Sequence, residues 1–323
     1  MTVTVVIPTH NPRMDYLARV IDALKKQSLP KTNWELLVID NGSEKPLSRS
    51  LDLSWHPTAR VIREDALGIA YARIRGIRES ASEILVFVDD DNVLDSGYLE
   101  NCLRIAAEWP QLGIWGGSIL PEFEIEPPSG IVPYLKILAL REVNQPLWSN
   151  VRTCTDAEPW GAGLCVRLSA AQAYIESFSK TKFPIAGNTG NLLLGGDDTE
   201  MCYTVCNSGL GMGLFPDLKL THLISKRRLS EDYIVRIKHG YAVKSLLLAY
   251  KWGGVHPTSA FSPIEILRFL KQMISIRSLQ RRLAWAFYRA RITATKIIAG
   301  EEHSMAVDWR QPPPSFSLPE VGD

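Results

Sequence analysis

Long apolar runs are missing from this sequence. No stretch approaches the ~18 apolar residues of a membrane-crossing helix, and the N-terminus, Met1-Thr-Val-Thr-Val-Val-Ile-Pro8, has no basic segment ahead of a longer apolar one. Neither a membrane span nor a secretory leader is expected, and the chain is placed in the cytoplasm. Cysteine is scarce: Cys102, Cys154, Cys165, Cys202 and Cys206 are five, an odd number, with no C-x-x-C pair. That excludes a disulfide framework and a zinc ribbon, and it fits a reducing compartment. Cys202 and Cys206, four apart, could share a helix face as metal ligands; two small buried side chains is the favoured reading. Net charge is almost absent, 36 Lys+Arg against 35 Asp+Glu, so bulk charge gives no case for a nucleic-acid partner. Nor does a glycine-rich loop follow the first apolar run, where Pro8-Thr-His-Asn-Pro12 stands instead. A dinucleotide-dependent dehydrogenase would need G-x-G-x-x-G there, and a nucleotidyltransferase would be expected to carry a glycine-rich basic loop.

What is present is an ordinary folded composition, 46% hydrophobic and 22% charged, in 323 residues. That length is enough for one large domain or for a domain with an extension. The first 120 residues alternate between short β-branched runs and helical periodicity. Val3 to Ile7, Leu36 to Ile39, Val61-Ile62 and Ile84 to Val88 are the runs; Met14 to Leu24 and Ile69 to Ile77 carry three- and four-residue spacing. Continuous apolar strands alternating with helices predict a mostly parallel sheet covered on both faces. In such sheets ligands bind beyond the carboxyl ends of the strands, which selects Thr9, His10, Asn11, Asp40 and Asp89 to Asp91. Residues 120–160 gather prolines and are too long for a plain connection, so they read as a segment covering a site. Trp160 to Arg167 restores a strand, and a helix is expected from about Ser169. Residues 230–252 and 262–299 look helical, and the tail with Pro312-Pro-Pro314 reads as disordered.

The strongest chemical signal is Val86-Phe-Val-Asp-Asp-Asp-Asn92. Three adjacent carboxylates at the end of a buried strand repel one another unless a cation compensates. In strand geometry alternate side chains share a side, so Asp89 and Asp91 would face one site and Asp90 another. Two carboxylates with diphosphate oxygens suit Mg²⁺ or Mn²⁺; one helix cap would need only one aspartate. A second signal is Gly195-Gly-Asp-Asp-Thr-Glu200. Asp197 and Glu200 have capping-box spacing, which would leave Asp198 free as a general base for an attacking hydroxyl; spacing alone does not separate base from cap. His222 precedes Lys226-Arg-Arg228, a run suited to phosphate oxygens, although a lone histidine is more often structural and the run could be a solvated loop.

In order and separation, Val5-Val-Ile-Pro-Thr-His-Asn11, Leu37-Val-Ile-Asp-Asn-Gly-Ser43, Phe87-Val-Asp-Asp-Asp91, Gly196-Asp-Asp198 and His222 through Ser230 resemble glycosyltransferase family 2. The resemblance implies an A-type nucleotide-sugar fold and inverting displacement without a covalent intermediate. It implies that Pro8, Thr9 and Asn11 line a nucleoside pocket, that Asp40 bonds the base, and that Arg73 lies on the nucleotide side. Asp89 and Asp90 are expected on the donor. Asp89 and Asp91 match the D-x-D metal motif, with His222 as a further ligand to metal or diphosphate. Asp198 matches the aspartate of a Glu-Asp pair, the base, with Asp197 in place of the glutamate. Ala66 and Ile74 stand where the family often has asparagine, which weakens the choice of nucleotide more than that of reaction.

The expected organisation is a catalytic domain at 1–228, a basic helical extension at 229–300 and a tail at 301–323. Residues 261–299 hold eight basic residues against one acid, Glu265. With Trp285, Phe287 and Tyr288 they could lie on an anionic membrane at its inner face, pack on the catalytic domain, or serve a homodimer. The expected activity is transfer of a sugar from a nucleotide diphosphate donor, a UDP-sugar by family tendency, to a saccharide or lipid-linked hydroxyl acceptor in surface polysaccharide assembly. The competing class is a silent sugar-nucleotide or membrane-binding scaffold.

Overall fold

The computed structural model describes residues 2–181, 185, 187–189, 192–258, 262–275 and 278–300. The expected tail at 301–323, and Arg277 of the basic stretch, lie outside the described residues.

The chain runs β1 (Val3–Thr9), α1 (Met14–Lys25), β2 (Trp34–Asn41), β3 (Arg60–Glu64), α2 (Ile69–Glu79), β4 (Ile84–Phe87), β5 (Asn92–Leu94), α3 (Tyr98–Glu108) and β6 (Leu112–Phe123). There follow β7 (Leu147–Ser149), β8 (Leu164–Arg167), α4 (Leu168–Lys180), β9 (Asn188–Thr189), β10 (Leu192–Leu193), α5 (Asp197–Asn207), β11 (Gly211–Ile224), α6 (Glu231–Gly253), α7 (Pro263–Ser275) and α8 (Ser278–Ala299). The main sheet has the order β3-β2-β1-β4-β8-β6-β11-β5, with β7 also on β11, and β9 pairs with β10 separately.

The expected α/β architecture is present, and its sheet is mixed rather than purely parallel. β3, β2, β1 and β4 are parallel, as are β6 and β11, but β8 runs antiparallel between β4 and β6, and β5 and β7 run antiparallel to β11. The prediction rested on strands followed by crossover helices. β8 arrives from residues 124–163, which hold β7 and short 3-10 turns but no α-helix, so nothing in its run gave its direction.

Both faces of the sheet are covered, which explains why its strands read as unbroken apolar runs. On one face Val3, Val5, Ile7 and Val86 pack with Leu17, Val20 and Ile21 of α1 and Leu99 and Ile105 of α3. On the other Val6, Leu37, Leu85 and Phe87 pack with Ala72 and Ile77 of α2, Tyr174 of α4, and Met201 and Val205 of α5. Cys102, Cys165, Cys202 and Cys206 are buried within these two cores. The C-terminal helices add two smaller clusters. Ile234 and Val235 meet Ile131, Leu138, Leu279 and Ala286, while Val243 and Leu247 meet Ile185, Leu194, Ala290 and Ala294. No helix among the described residues is long and apolar enough to cross a membrane.

The chain order places the site. From β1 the chain steps outward to β2 and β3, then returns to the opposite side of β1 as β4. The carboxyl ends of β1 and β4 are therefore a switch point, where the connections diverge and leave a crevice.

Candidate active site

β4 stops at Phe87, and Asp89 to Asp91 form a turn closed by the Asn92 N–H on the Asp89 carbonyl at 3.0 Å. The strand-like alternation expected of these carboxylates therefore does not hold. A turn fans the three side chains instead: Asp89 toward Arg73 (3.4 Å), Asp90 toward Thr9, whose Oγ1 donates to it at 2.5 Å, and Asp91 toward Arg228 (3.1 Å) and His222 (3.5 Å). Arg228 also reaches His222 Nε2 at 2.5 Å.

Their protonation follows from these partners. Burial pushes Asp90 up to about 7, with the Asp91 charge adding to it. Burial likewise lifts Asp89 to about 6, although Arg73 opposes it. Burial acts on Asp91 in the same sense, yet Arg228 and His222 hold it down at about 2. Burial thus makes the charged forms of Asp89 and Asp90 costly, while Asp91 is held ionised by its two partners.

Two adjoining cavities open at this point. One, of about 380 Å³, is lined by Pro8, Thr9, His10, Asn41, Leu67, Gly68, Ala72, Asp90 and Asp91. The other, of about 340 Å³, is lined by Arg73, Lys136, Trp160, Gly161, Asp197, Asp198, His222, Tyr233, Tyr241 and Lys244 among others. Ile69, Asp89 and Arg228 line both.

The Gly-Gly-Asp-Asp segment sits in the second cavity, but not as a capping box. Gly196 is the N-cap of α5, at φ 90°, where a Cβ would strike the Lys244 side chain at 2.4 Å. Asp197, inside the helix, gives its carboxylate to Arg73 at 2.5 Å, and Glu200 gives its own to Lys251. Capping spacing is met in sequence, yet tertiary cations claim both side chains. Asp198 remains on the cleft, its two oxygens accepting from Gly161 N and Thr199 N at 2.8 Å each. Thr199 in turn donates to the buried Glu158, and Arg141 stacks on Trp160 with its guanidinium 3.4 Å from the ring centre.

Arg73 is 2% exposed and lies between the two acidic motifs, with Nη2 also 3.4 Å from the Gly161 carbonyl. A Cβ at Gly161 would approach that guanidinium to 2.4 Å. Asp40 and Asn11 line neither cavity. The Asp40 carboxylate is taken up by Ser43 N, Leu47 N and Arg63; burial pushes its pKa up, but these donors leave it below the usual value. Asn11, at φ 49°, accepts from Glu44 N and ties the loop after β1 to that after β2. Asn41, passed over in the sequence, accepts from Gly68 N and donates to the carbonyls of Glu64 and Ala66, so it shapes the first cavity. Trp160, Tyr233, Tyr241, Lys136 and Lys244 were also unforeseen, because they reach the cleft from residues 132–161 and from α6, which carry no motif.

Asp89, Asp91 and His222 are side chains of this cleft with metal-ligand chemistry. Asp91 and His222 approach each other, Asp89 is beside them, and His222 Nδ1 is buried without a partner. Among the described residues no three His, Cys, Asp or Glu side chains form a complete cluster, so further ligands would have to come from a bound diphosphate or water.

The fold is an A-type glycosyltransferase fold. Residues 4–152 match the model of glycosyl transferase family 2. Glycosyltransferase AglE of Haloferax volcanii is 33% identical over 92 residues, 28% of this chain and 30% of that relative, so the chain spans under a third of the curated relative it matches. The crystal structure of S. aureus TarS 1-349 in complex with UDP-GlcNAc covers 94% of this chain and 93% of its own with a TM-score of 0.51 at 12% identity. Another crystal structure of S. aureus TarS 1-349 covers 94% of this chain and 93% of its own with a TM-score of 0.49 at 13% identity. The likeness at a TM-score of 0.51 concerns the fold alone.

Proposed function

We propose that the protein transfers a sugar, with inversion, from a nucleotide diphosphate donor to a hydroxyl on a saccharide or lipid-linked acceptor. One observation carries this reading: the cavity at the strand ends and the cavity holding Asp198 meet at Asp89 and Arg228. A donor spanning the two would put its nucleoside against Pro8 and Thr9, its diphosphate at Arg228, and its sugar toward Asp198. Trp160, Tyr233 and Tyr241 offer ring faces and hydroxyls for a saccharide on the far side.

Asp198 is the base. Two backbone N–H groups hold its carboxylate with lone pairs left to take the acceptor proton as the hydroxyl attacks. Arg73 fixes Asp197 and Asp89 on either side and so sets the distance between base and diphosphate. Asp91, Asp89 and His222 would hold Mg²⁺ or Mn²⁺, which when bound supplies positive charge to the departing diphosphate. A UDP-sugar is the proposed donor; the TarS structure of similar fold was solved with UDP-GlcNAc.

The test is release of nucleotide from UDP-, GDP- and dTDP-sugars with Mn²⁺ or with EDTA. Turnover of one donor, lost in EDTA and in Asp198→Asn, is expected. No calorimetric binding of any of these donors would overturn the reading.

A further inference from the structure

We propose that the outward face of α7 docks on an anionic lipid bilayer. This goes beyond the transferase reading and does not depend on it. A helix laid on a soluble protein turns its apolar stripe inward, but α7 turns most of its own outward. Phe269 is its buried anchor, with ring centres 4.2 Å from Tyr288 and 5.5 Å from Trp285 of α8. Leu267, two residues earlier, is rotated roughly 200° around the helix and is 69% exposed. Ile264 and Leu270, one turn to either side of it, are 64% and 41% exposed, and Ile266 is 45% exposed. Large apolar side chains grouped in this way mark an interaction surface.

Charge selects the occupant. Arg268 of α7 and Arg281 of α8 are exposed, and the one acid among the described residues of 262–300, Glu265, is engaged by Arg291 at 3.0 Å. A second copy of this surface would meet it with like charge, whereas anionic headgroups complement it and accept the apolar side chains beneath them. The face lies on the membrane, since no helix among the described residues can cross it.

The full chain should sediment with vesicles of phosphatidylcholine and phosphatidylglycerol and remain free of vesicles of phosphatidylcholine alone, with binding that weakens as salt rises. Leu267→Glu with Leu270→Glu should lower binding at least about tenfold, and Arg268→Glu about fivefold or more, at unchanged far-UV circular dichroism. Absence of binding by the native chain, or equal binding by the double variant, would overturn the proposal. A lipid-free dimer that the double variant dissolves in light scattering would give the face to a second copy instead. No donor or acceptor is needed, so this result is separate from that on transfer.

Discussion

The cleft has two halves of different origin. The half around Pro8, Thr9 and Asp89 to Asp91 is built from the ends of adjacent parallel strands, β1 and β4, joined along the Val3↔Ile84 to Val6↔Phe87 register. The half around Asp198 is assembled from residues 136–161, the start of α5 and one face of α6. In the first half the backbone of a buried sheet sets the positions, and side chains need only be polar and adjacent. In the second, position is maintained by side chains that reach across: Arg73 to Asp197, Lys251 to Glu200, Thr199 to Glu158. A strand-end site depends on the core beneath it, whereas an assembled site depends on its own ion pairs.

The largest test of this difference is chemical. Asp198→Asn should lower transfer by about 10²–10⁴-fold while calorimetry shows little change in donor affinity, because the nucleoside and diphosphate are proposed to rest on the other half. Equal loss of both would mean that the halves are not separable.

Next in size is the ion pair that joins them. Arg73→Met leaves Asp197 and Asp89 facing each other without their shared cation, and should destabilise the fold by about 3–5 kcal/mol in denaturant titration. A loss near zero would show that solvent reaches these carboxylates. Lys251→Met isolates the fully buried Glu200 and should cost about 3 kcal/mol, most of it regained by adding Glu200→Gln. It should leave donor affinity alone, since Lys251 anchors only the assembled half.

The smallest effect lies at the strand ends. Asp90 titrates near 7 in the fold against about 4 unfolded, so the unfolded chain releases its proton first and stability falls as pH rises through that window. Asp90→Asn keeps an acceptor for Thr9 and removes the penalty. In EDTA its melting temperature should match the native chain at pH 4 and exceed it by about 2 °C or more above pH 7. A gain equal at all pH values would rule out a titration origin.

The same division separates what was legible from what was not. β1, β2, β4, α1 and α2 could be read because strand burial on both faces and helical periodicity write themselves into local pattern. The aspartates at the end of β4 could be read because three like charges after a buried strand are unfavourable without a use. Their directions could not, since a turn at Asp89 replaces the extended strand. Nor could the partner of Asp197: the same spacing serves a capping box, and only the arrival of Arg73 from α2 decides against it.

The sequence by itself determined the alternation of strands and helices and the acidic residues at the strand ends, because these follow from local periodicity and charge. The tertiary structure alone decided the antiparallel course of β8, the clamp made by Arg73, the commitment of Asp40 to its own loop and the outward turn of the apolar side of α7. Each of those depends on a partner far along the chain, and a contact between distant residues leaves no periodicity in either segment.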